Sequence, residues 1–272
     1  MNILITGGAG YKGVLLTEEL LKKHKVTILD NFMYGYDSVL HIIDHPNLSI
    51  NKTDMRILKE SDTKDYDVIF HLAGISGMPA CATNPHSAES INVESVYKML
   101  KFLHKDQILI NASTTSMYGY NEIICDEKTE IKPVSIYGKT KFESEKIIQD
   151  RENSISLRFA TVFGVSPRMR NDLMVNDFVY RAIHERNLIL FAPETKRTFV
   201  HIDDAIKGYI FAMNNFELMK NQIYNVGDET MNLSKMEISE KIKKYINFEL
   251  VNSNLTDLDN RNFEISFEKI KN

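Results

Sequence analysis

Cysteine is scarce. Cys81 and Cys125 are the two in 272 residues, and without metal-type spacing they predict neither a disulfide framework nor a zinc site. No apolar run approaches the 18 or so residues needed to cross a bilayer, so no membrane span is expected. Excess charge is lacking too: a formal net charge of −4 gives no electrostatic reason to expect nucleic acid or an anionic membrane as partner. Met1 runs directly into the first apolar stretch, which leaves no room for a secretory leader and predicts a reducing, cytoplasmic setting. Internal repeats and low-complexity segments are absent as well. The apolar and charged fractions, 43% and 26%, are ordinary for a globular chain large enough to bury a substantial core.

Against these absences stands one informative stretch, Met1 to Asp30. Asn2-Ile-Leu-Ile-Thr6 is apolar without helical period and reads as a buried parallel strand. It ends at Gly7-Gly-Ala-Gly10-Tyr-Lys-Gly13, after which Val14, Leu15, Leu16, Leu20 and Leu21 carry a helical pattern. Val26-Thr-Ile-Leu29 is a second strand, and it ends on Asp30. Strand, glycine turn, helix, strand, acid is the order of a dinucleotide-binding βαβ unit. Gly7 allows a tight reversal off the strand. Gly10 leaves room for a pyrophosphate at the helix N-terminus, whose unpaired N–H groups favour an anion, and Gly13 lets helix and strand pack closely. Asp30 is placed to accept hydrogen bonds from both adenosine ribose hydroxyls. Its charge would repel a 2′-phosphate, and Asn31 and Phe32 supply no cation, so the cofactor reads as NAD rather than NADP.

The rest of residues 1–160 alternates in the same way. Strands are expected at Leu48–Lys52, Val68–Ala73, Gln107–Ala112 and Ser154–Arg158, and helices over Pro85–His104 and Tyr137–Asp150. This predicts an α/β, Rossmann-type, doubly wound parallel sheet. Beyond Gly164 the elements shorten. A polar loop, Ser166–Asn171, leads to a helix near Asp172–Arg186. Short strands follow at Ile189–Phe191 and Thr198–Ile202, then a helix from Asp203 to about Asn214. Ser234 and Glu237 form a capping box for a helix reaching Tyr245. The division expected is an NAD-binding domain over 1–164, with 192–215 returning to it, and a smaller α/β substrate-binding lobe over 165–272.

The spacing of Gly7, Gly10 and Gly13, G-x-x-G-x-x-G, resembles that of the extended short-chain dehydrogenase/reductases, the nucleotide-sugar epimerases and dehydratases. The resemblance extends over roughly 1–266. It implies an NAD contact surface of Gly7, Gly10, Tyr11, Lys12, Gly13, Asp30, Asn31, Asp54, Met55, Leu72, Ala73, Gly74 and Asn92. Asp54 and Met55 fall where the family contacts adenine, although an acid opening a helix explains Asp54 equally well. The family's residue at Lys12 is apolar; a lysine there opposes the helix dipole unless cofactor phosphates compensate it, and a solvated side chain is the expectation. Asp259–Ser266 is similar to the lobe's penultimate strand, after which relatives continue into another helix; a shortened tail is expected here.

The chemistry is expected at Tyr137-Gly-Lys-Thr-Lys141. Tyr-x-x-x-Lys also occurs at Tyr97 and Lys101, so spacing alone decides nothing. Tyr97 lies within a helix whose Val93, Val96, Leu100 and Leu103 read as a packing stripe, whereas Tyr137 opens its helix after a loop leaving a sheet strand. Tyr137 and Lys141 share a helix face, where an ammonium and the nicotinamide charge stabilise a phenolate. Ser113-Thr-Thr-Ser116 supplies hydroxyls beside them, and counting back from the Tyr118-Gly119 pair, as the resemblance implies, selects Thr114, with Ser113, Thr115 and Ser116 close enough to be confused with it. The implied reaction is oxidation of a sugar hydroxyl to a keto sugar. Dehydratases in the family carry Asp-Glu after the threonine. Thr115 and Ser116 stand there instead, which favours an epimerase or C4 oxidoreductase over a 4,6-dehydratase.

The resemblance further implies a nucleotide-diphosphate sugar held near Ser76, Thr115, Thr161, Leu173 and Arg197, with Arg168 and Arg170 as additional candidates. Thr161 replaces the family's asparagine. A homodimer through helices at 86–104 and 137–151 is implied in the same way. The rival from another class is a non-catalytic NAD-binding sensor or scaffold, against which Tyr137 and Lys141 argue. No metal is expected.

Overall fold

The computed structural model describes residues 1–253, 255 and 261–272. The chain begins β1 (Asn2–Thr6), α1 (Gly13–Leu21), β2 (Lys25–Asp30), β3 (Leu48–Lys52) and β4 (Val68–His71). Three short helical pieces follow, α2 (Met78–Thr83), α3 (Pro85–Glu89) and α4 (Ser95–Phe102), with a π-helical turn over Ser90–Glu94 between the last two. Then come β5 (Ile108–Thr114), β6 (Tyr120–Cys125), α5 (Ile136–Gln149), β7 (Ser154–Phe159) and β8 (Thr161–Phe163). The second half holds α6 (Met174–His184), β9 (Asn187–Phe191), β10 (Lys196–His201), α7 (Ile202–Asn214), α8 (Phe216–Met219) and β11 (Gln222–Val226). It closes with β12 (Asn232–Ser234), α9 (Lys235–Lys243), β13 (Glu249–Ser253), β14 (Asn262–Ile265) and α10 (Glu268–Lys271).

Seven strands form the central sheet in the order β11-β7-β5-β4-β1-β2-β3, and every pairing is parallel. The apolar runs without helical period follow from burial on both faces, because successive residues of a strand point to opposite sides. Ile3 and Ile5 of β1 face Leu16 and Leu20 of α1 in one core that also takes in Tyr209 of α7. Leu4, between them, faces the other way, into a core with Val96 and Met99 of α4 and Ile148 of α5. The chain reverses its direction of winding between β1 and β4. That opens a crevice at the carboxyl ends of the strands, where ligands of such sheets bind.

The smaller elements build a separate apolar core, with Phe178, Leu188, Leu190, Phe199, Leu233 and Ile242 among its members. It is organised by the three-stranded sheet β12-β10-β8 and the pair β13-β9. The capping box is present: Ser234 Oγ accepts from Glu237 N (3.1 Å) and Glu237 returns the bond to Ser234 N (2.7 Å).

Three features differ from the sequence reading. The expected helix over 85–104 contains the π-helical turn, and α2 precedes it. Gln222–Val226, which periodicity had left unplaced, is the outer strand of the main sheet beside β7. Finally, β14 pairs in parallel with β6 and is followed by the short helix α10; Asp259 and Asn260, at the start of the expected strand, lie outside the described residues.

Candidate active site

The first βα turn is packed to backbone contact. Gly7 holds φ +73°, and a Cβ there would lie 2.7 Å from Ala73 N. At Gly13 a Cβ would come within 2.3 Å of Gly7 O, whereas at Gly10 it would meet only Gly7 O, at 3.1 Å, with the crevice otherwise open. The turn is therefore a cradle whose glycines keep side chains out of the place a diphosphate needs. Asp30 ends β2 with its carboxylate accepting from Ala9 N (3.1 Å) and Phe32 N (2.8 Å). Burial raises its pKa, and the backbone donors oppose that rise.

The crevice has two connected parts. One is lined by Gly7, Gly10, Asp30, Asn31, Asp54, Met55, Leu72, Ala73 and Gly74: an apolar slot with an acid at its rim, as an adenosine requires. Asp54 caps a short helical turn by accepting from Arg56 N (2.9 Å), receives Asn31 Nδ2 (3.2 Å) and also borders the slot. Its ion pair with Arg56 holds its carboxyl well below the usual range. The other part is lined by Gly10, Tyr11, Lys12, Gly13, Ser76, Ala112, Tyr137, Lys141, Arg168, Arg170 and Asp172. The cradle, the acid and the slot fit an adenine dinucleotide.

Tyr137 and Lys141 come together in this second part, one turn apart on α5. Ser135 starts the helix by accepting from Gly138 N (3.1 Å). Lys141 is 7% exposed, and burial lowers its pKa to about 8 against the opposing pull of Glu145. Tyr97, of the other Tyr-x-x-x-Lys, is 56% exposed, with Lys101 Nζ 4.3 Å over its ring; it belongs to the outer surface of α4.

The hydroxyl cluster after β5 is sorted by its partners. Ser113 Oγ donates to Glu145 (2.6 Å), Thr115 Oγ1 donates to Phe159 O (3.2 Å), and Ser116 Oγ receives Arg261 Nη1 (2.8 Å). Thr114 Oγ1 accepts from Ser116 N (3.1 Å) and, among the described residues, hydrogen-bonds no acceptor with its own proton. Thr115 is buried, at 1% exposed, with its hydroxyl bonded to β7.

Asn92 is also not a wall of the crevice. Buried in the π-helical turn, its Oδ1 accepts from Ile75 N (2.8 Å), and its Nδ2 donates to Ile75 O (3.0 Å) and Thr140 Oγ1 (3.1 Å). It clamps Ile75, in the segment that lines the site. The extra residue of a π turn is what swings it inward.

Lys12 departs from expectation as well. Its ammonium is not out in solvent but 4.2 Å from the centre of the Phe159 ring and 5.4 Å from that of Tyr209, inside the crevice. Thr161, Leu173 and Arg197 border an adjoining pocket of the smaller lobe, shared with Arg170, Lys235 and Arg261. Ser76 Oγ receives Arg170 Nη1 (3.1 Å).

Sequence reasoning missed two supports. Tyr11 Oη donates to Gly164 O (2.7 Å) and receives Asn176 Nδ2 (3.2 Å), tying the glycine turn to the substrate side. Beneath the hydroxyl cluster, Arg158 on β7 grips Glu145 on α5 (2.7 Å) and donates to Tyr118 Oη (2.8 Å), all buried. The available signal was a lone arginine in the otherwise uncharged strand Ser154–Phe159.

Known proteins are similar to this chain in sequence and in fold. An uncharacterised UDP-glucose epimerase of Bacillus subtilis is 31% identical over 261 residues, covering 89% of this chain and 79% of its own. UDP-glucuronic acid decarboxylase 6 of Arabidopsis thaliana is 28% identical, with 99% and 82% covered. The crystal structure of UDP-glucuronic acid 4-epimerase from Bacillus cereus, in complex with UDP-glucuronic acid and NAD, superposes with a TM-score of 0.86 over 99% of this chain and 91% of that one, at 23% identity. Residues 3–227 match the sequence profile of a family described as NAD dependent epimerase/dehydratase, and a match over that much of the chain establishes that the protein belongs to it.

Proposed function

We propose that this protein is an NAD-dependent nucleotide-sugar epimerase or C4 oxidoreductase in which Thr114, Tyr137 and Lys141 act on the C4 hydroxyl of a nucleotide-diphosphate sugar. The observation that carries this reading is the meeting of Tyr137 and buried Lys141 in the same crevice as the glycine cradle. Tyr137 takes the proton of the sugar hydroxyl. Lys141, one helical turn away, stabilises the phenolate form of Tyr137 that accepts this proton. Thr114 hydrogen-bonds the reacting hydroxyl and orients it. Bound NAD supplies the hydride acceptor at C4. The cradle of Gly7, Gly10 and Gly13, with Asp30 at the ribose, holds the cofactor, and Arg197 in the adjoining pocket suits the diphosphate of the sugar nucleotide.

Support for UDP as the nucleotide comes from the relatives, which are named for UDP-sugars. Thr115 and Ser116, with no carboxylate at either place, disfavour elimination of water. Purified protein given UDP-glucose, UDP-N-acetylglucosamine and UDP-glucuronate is expected to form a C4 epimer by NMR or a rise in NADH absorbance with one of them. Tyr137→Phe should lower that rate by about 10²–10⁴; undiminished turnover would refute the assigned base. NAD binding without any sugar-nucleotide turnover would favour a sensor instead. We also propose a cytoplasmic homodimer through the helices of 86–104 and 137–151, which a monomeric mass in sedimentation would refute. No helix among the described residues is long and apolar enough to cross a membrane.

A further inference from the structure

The crevice around Lys12 is unbalanced in charge. Four cations, Lys12, Lys141, Arg168 and Arg170, line it against the single carboxylate of Asp172, and Asp172 is already paired with Arg170 at 2.6 Å. Lys12 is the odd member. It stands at the N-cap of α1, where a positive charge opposes the helix dipole. Its Nζ rests over the Phe159 and Tyr209 rings and, among the described residues, makes no hydrogen bond or ion pair. The titratable and charged groups that line the crevice with it are Lys141 and Tyr137 on α5, Arg168, Arg170 and Asp172 on the loop before α6, and Tyr34 after β2, while Tyr209 on α7 lies under its Nζ. Asp30 lines the adenosine side of the crevice, beyond Gly10. Glu145 spends its charge on Arg158.

We propose that Lys12 is a proton-linked anchor for the dinucleotide's diphosphate, its side chain taking a proton from solvent as the diphosphate enters the glycine cradle. In the free protein two cations, Lys141 and Arg170, act on this amine, and two ring faces lie against it. A diphosphate offsets that positive surrounding by bringing two negative charges to the turn that Lys12 belongs to. Burial, then Lys141 and Arg170, lower the Lys12 pKa to about 7 in the free protein, so the amine is divided between its two forms near neutrality, and an adjacent anion drives it to the ammonium. The inference rests on reading the crevice as the dinucleotide site and adds to that reading a binding step that consumes a proton.

The test is calorimetric titration with ADP-ribose, whose diphosphate does not itself titrate near neutrality, at pH 7.5 in phosphate and in Tris. Any dinucleotide carried through purification is removed first. Wild-type protein is expected to take up between about half and one proton per ADP-ribose bound, the shortfall of a lysine titrating near 7. Lys12→Met should bind with little uptake. Lys12→Arg, which keeps its charge at every pH used, should retain affinity and show little uptake, so a folding defect in the methionine variant would not obscure the result. By linkage, affinity is full below the free-protein pKa and falls as pH rises above it. Wild-type Kd should therefore climb between about pH 7.5 and 9, and more steeply than that of Lys12→Arg, whose remaining slope belongs to Lys141. Binding without proton uptake, or uptake unchanged in both variants, overturns the role of Lys12. Failure of wild-type protein to bind ADP-ribose at all overturns the dinucleotide reading itself.

Discussion

At the scale of single residues, the four hydroxyls after β5 show how hydrogen-bond partners separate chemistry from packing. Ser113 and Thr115 donate to protein acceptors, so their hydroxyls serve the fold. Thr114 accepts from Ser116 N and, among the described residues, donates to no acceptor, which leaves its proton for the substrate proposed above. Thr114→Val is expected to lower kcat by about tenfold or more, with little change in melting temperature, because one hydrogen bond to the reacting group is worth about 1–3 kcal/mol. Thr115→Val is expected to do the reverse, leaving Phe159 O without its buried donor and lowering stability by about 1–3 kcal/mol. Parallel rate measurements and thermal melts separate the two, and equal kinetic loss in both would end the distinction.

Elements are held in register around the site by buried polar pairs rather than by apolar contact alone. Arg158 on β7, Glu145 on α5 and Tyr118 after β5 lock three pieces of chain whose ends carry Lys141 and Thr114. A buried ion pair contributes little net stability when intact, since desolvation offsets the attraction, but breaking it strands a charge. Arg158→Met should therefore cost about 3–5 kcal/mol in urea unfolding, and adding Glu145→Met should recover part of that loss. Additive losses would mean that the pair is not coupled. Asn92 works at the same scale, fixing the segment that leaves β4 to α5 through Ile75 and Thr140.

Over the whole molecule, the site is assembled by gathering like charges, and that has a pH signature. Burial lowers the pKa of Lys12 from 10.5 to about 7 and that of Lys141 from 10.5 to about 8. Between those values and 10.5 the unfolded chain binds more protons than the native one, so these lysines make stability rise with pH across that window, and their cost is greatest below it. Lys12→Met is accordingly expected to melt higher than wild type in cofactor-free protein at pH 7, with the difference shrinking by pH 9. A difference that grows with pH would contradict this sign. Bound dinucleotide should narrow the difference at pH 7, since it supplies the missing anion.

What the sequence determined by itself was local. The order of strand, glycine turn, helix, strand and acid in Met1–Asp30, and the buried strands after it, depend on period and on glycine at contact positions, which any reader of the chain can count. Tyr137 could be preferred over Tyr97 because its place at a helix start, after a strand, is a sequence property. Tertiary structure decided what depends on residues far apart in the chain: that Gln222–Val226 pairs with β7, that Asn92 turns to Ile75 rather than to the crevice, that Thr115 faces Phe159, and that Lys12 lies among Lys141, Arg168 and Arg170. Those outcomes are set by burial and by partners from 17 residues away, for Asn92, to more than a hundred, for Lys12, and no local pattern encodes where such a partner will stand.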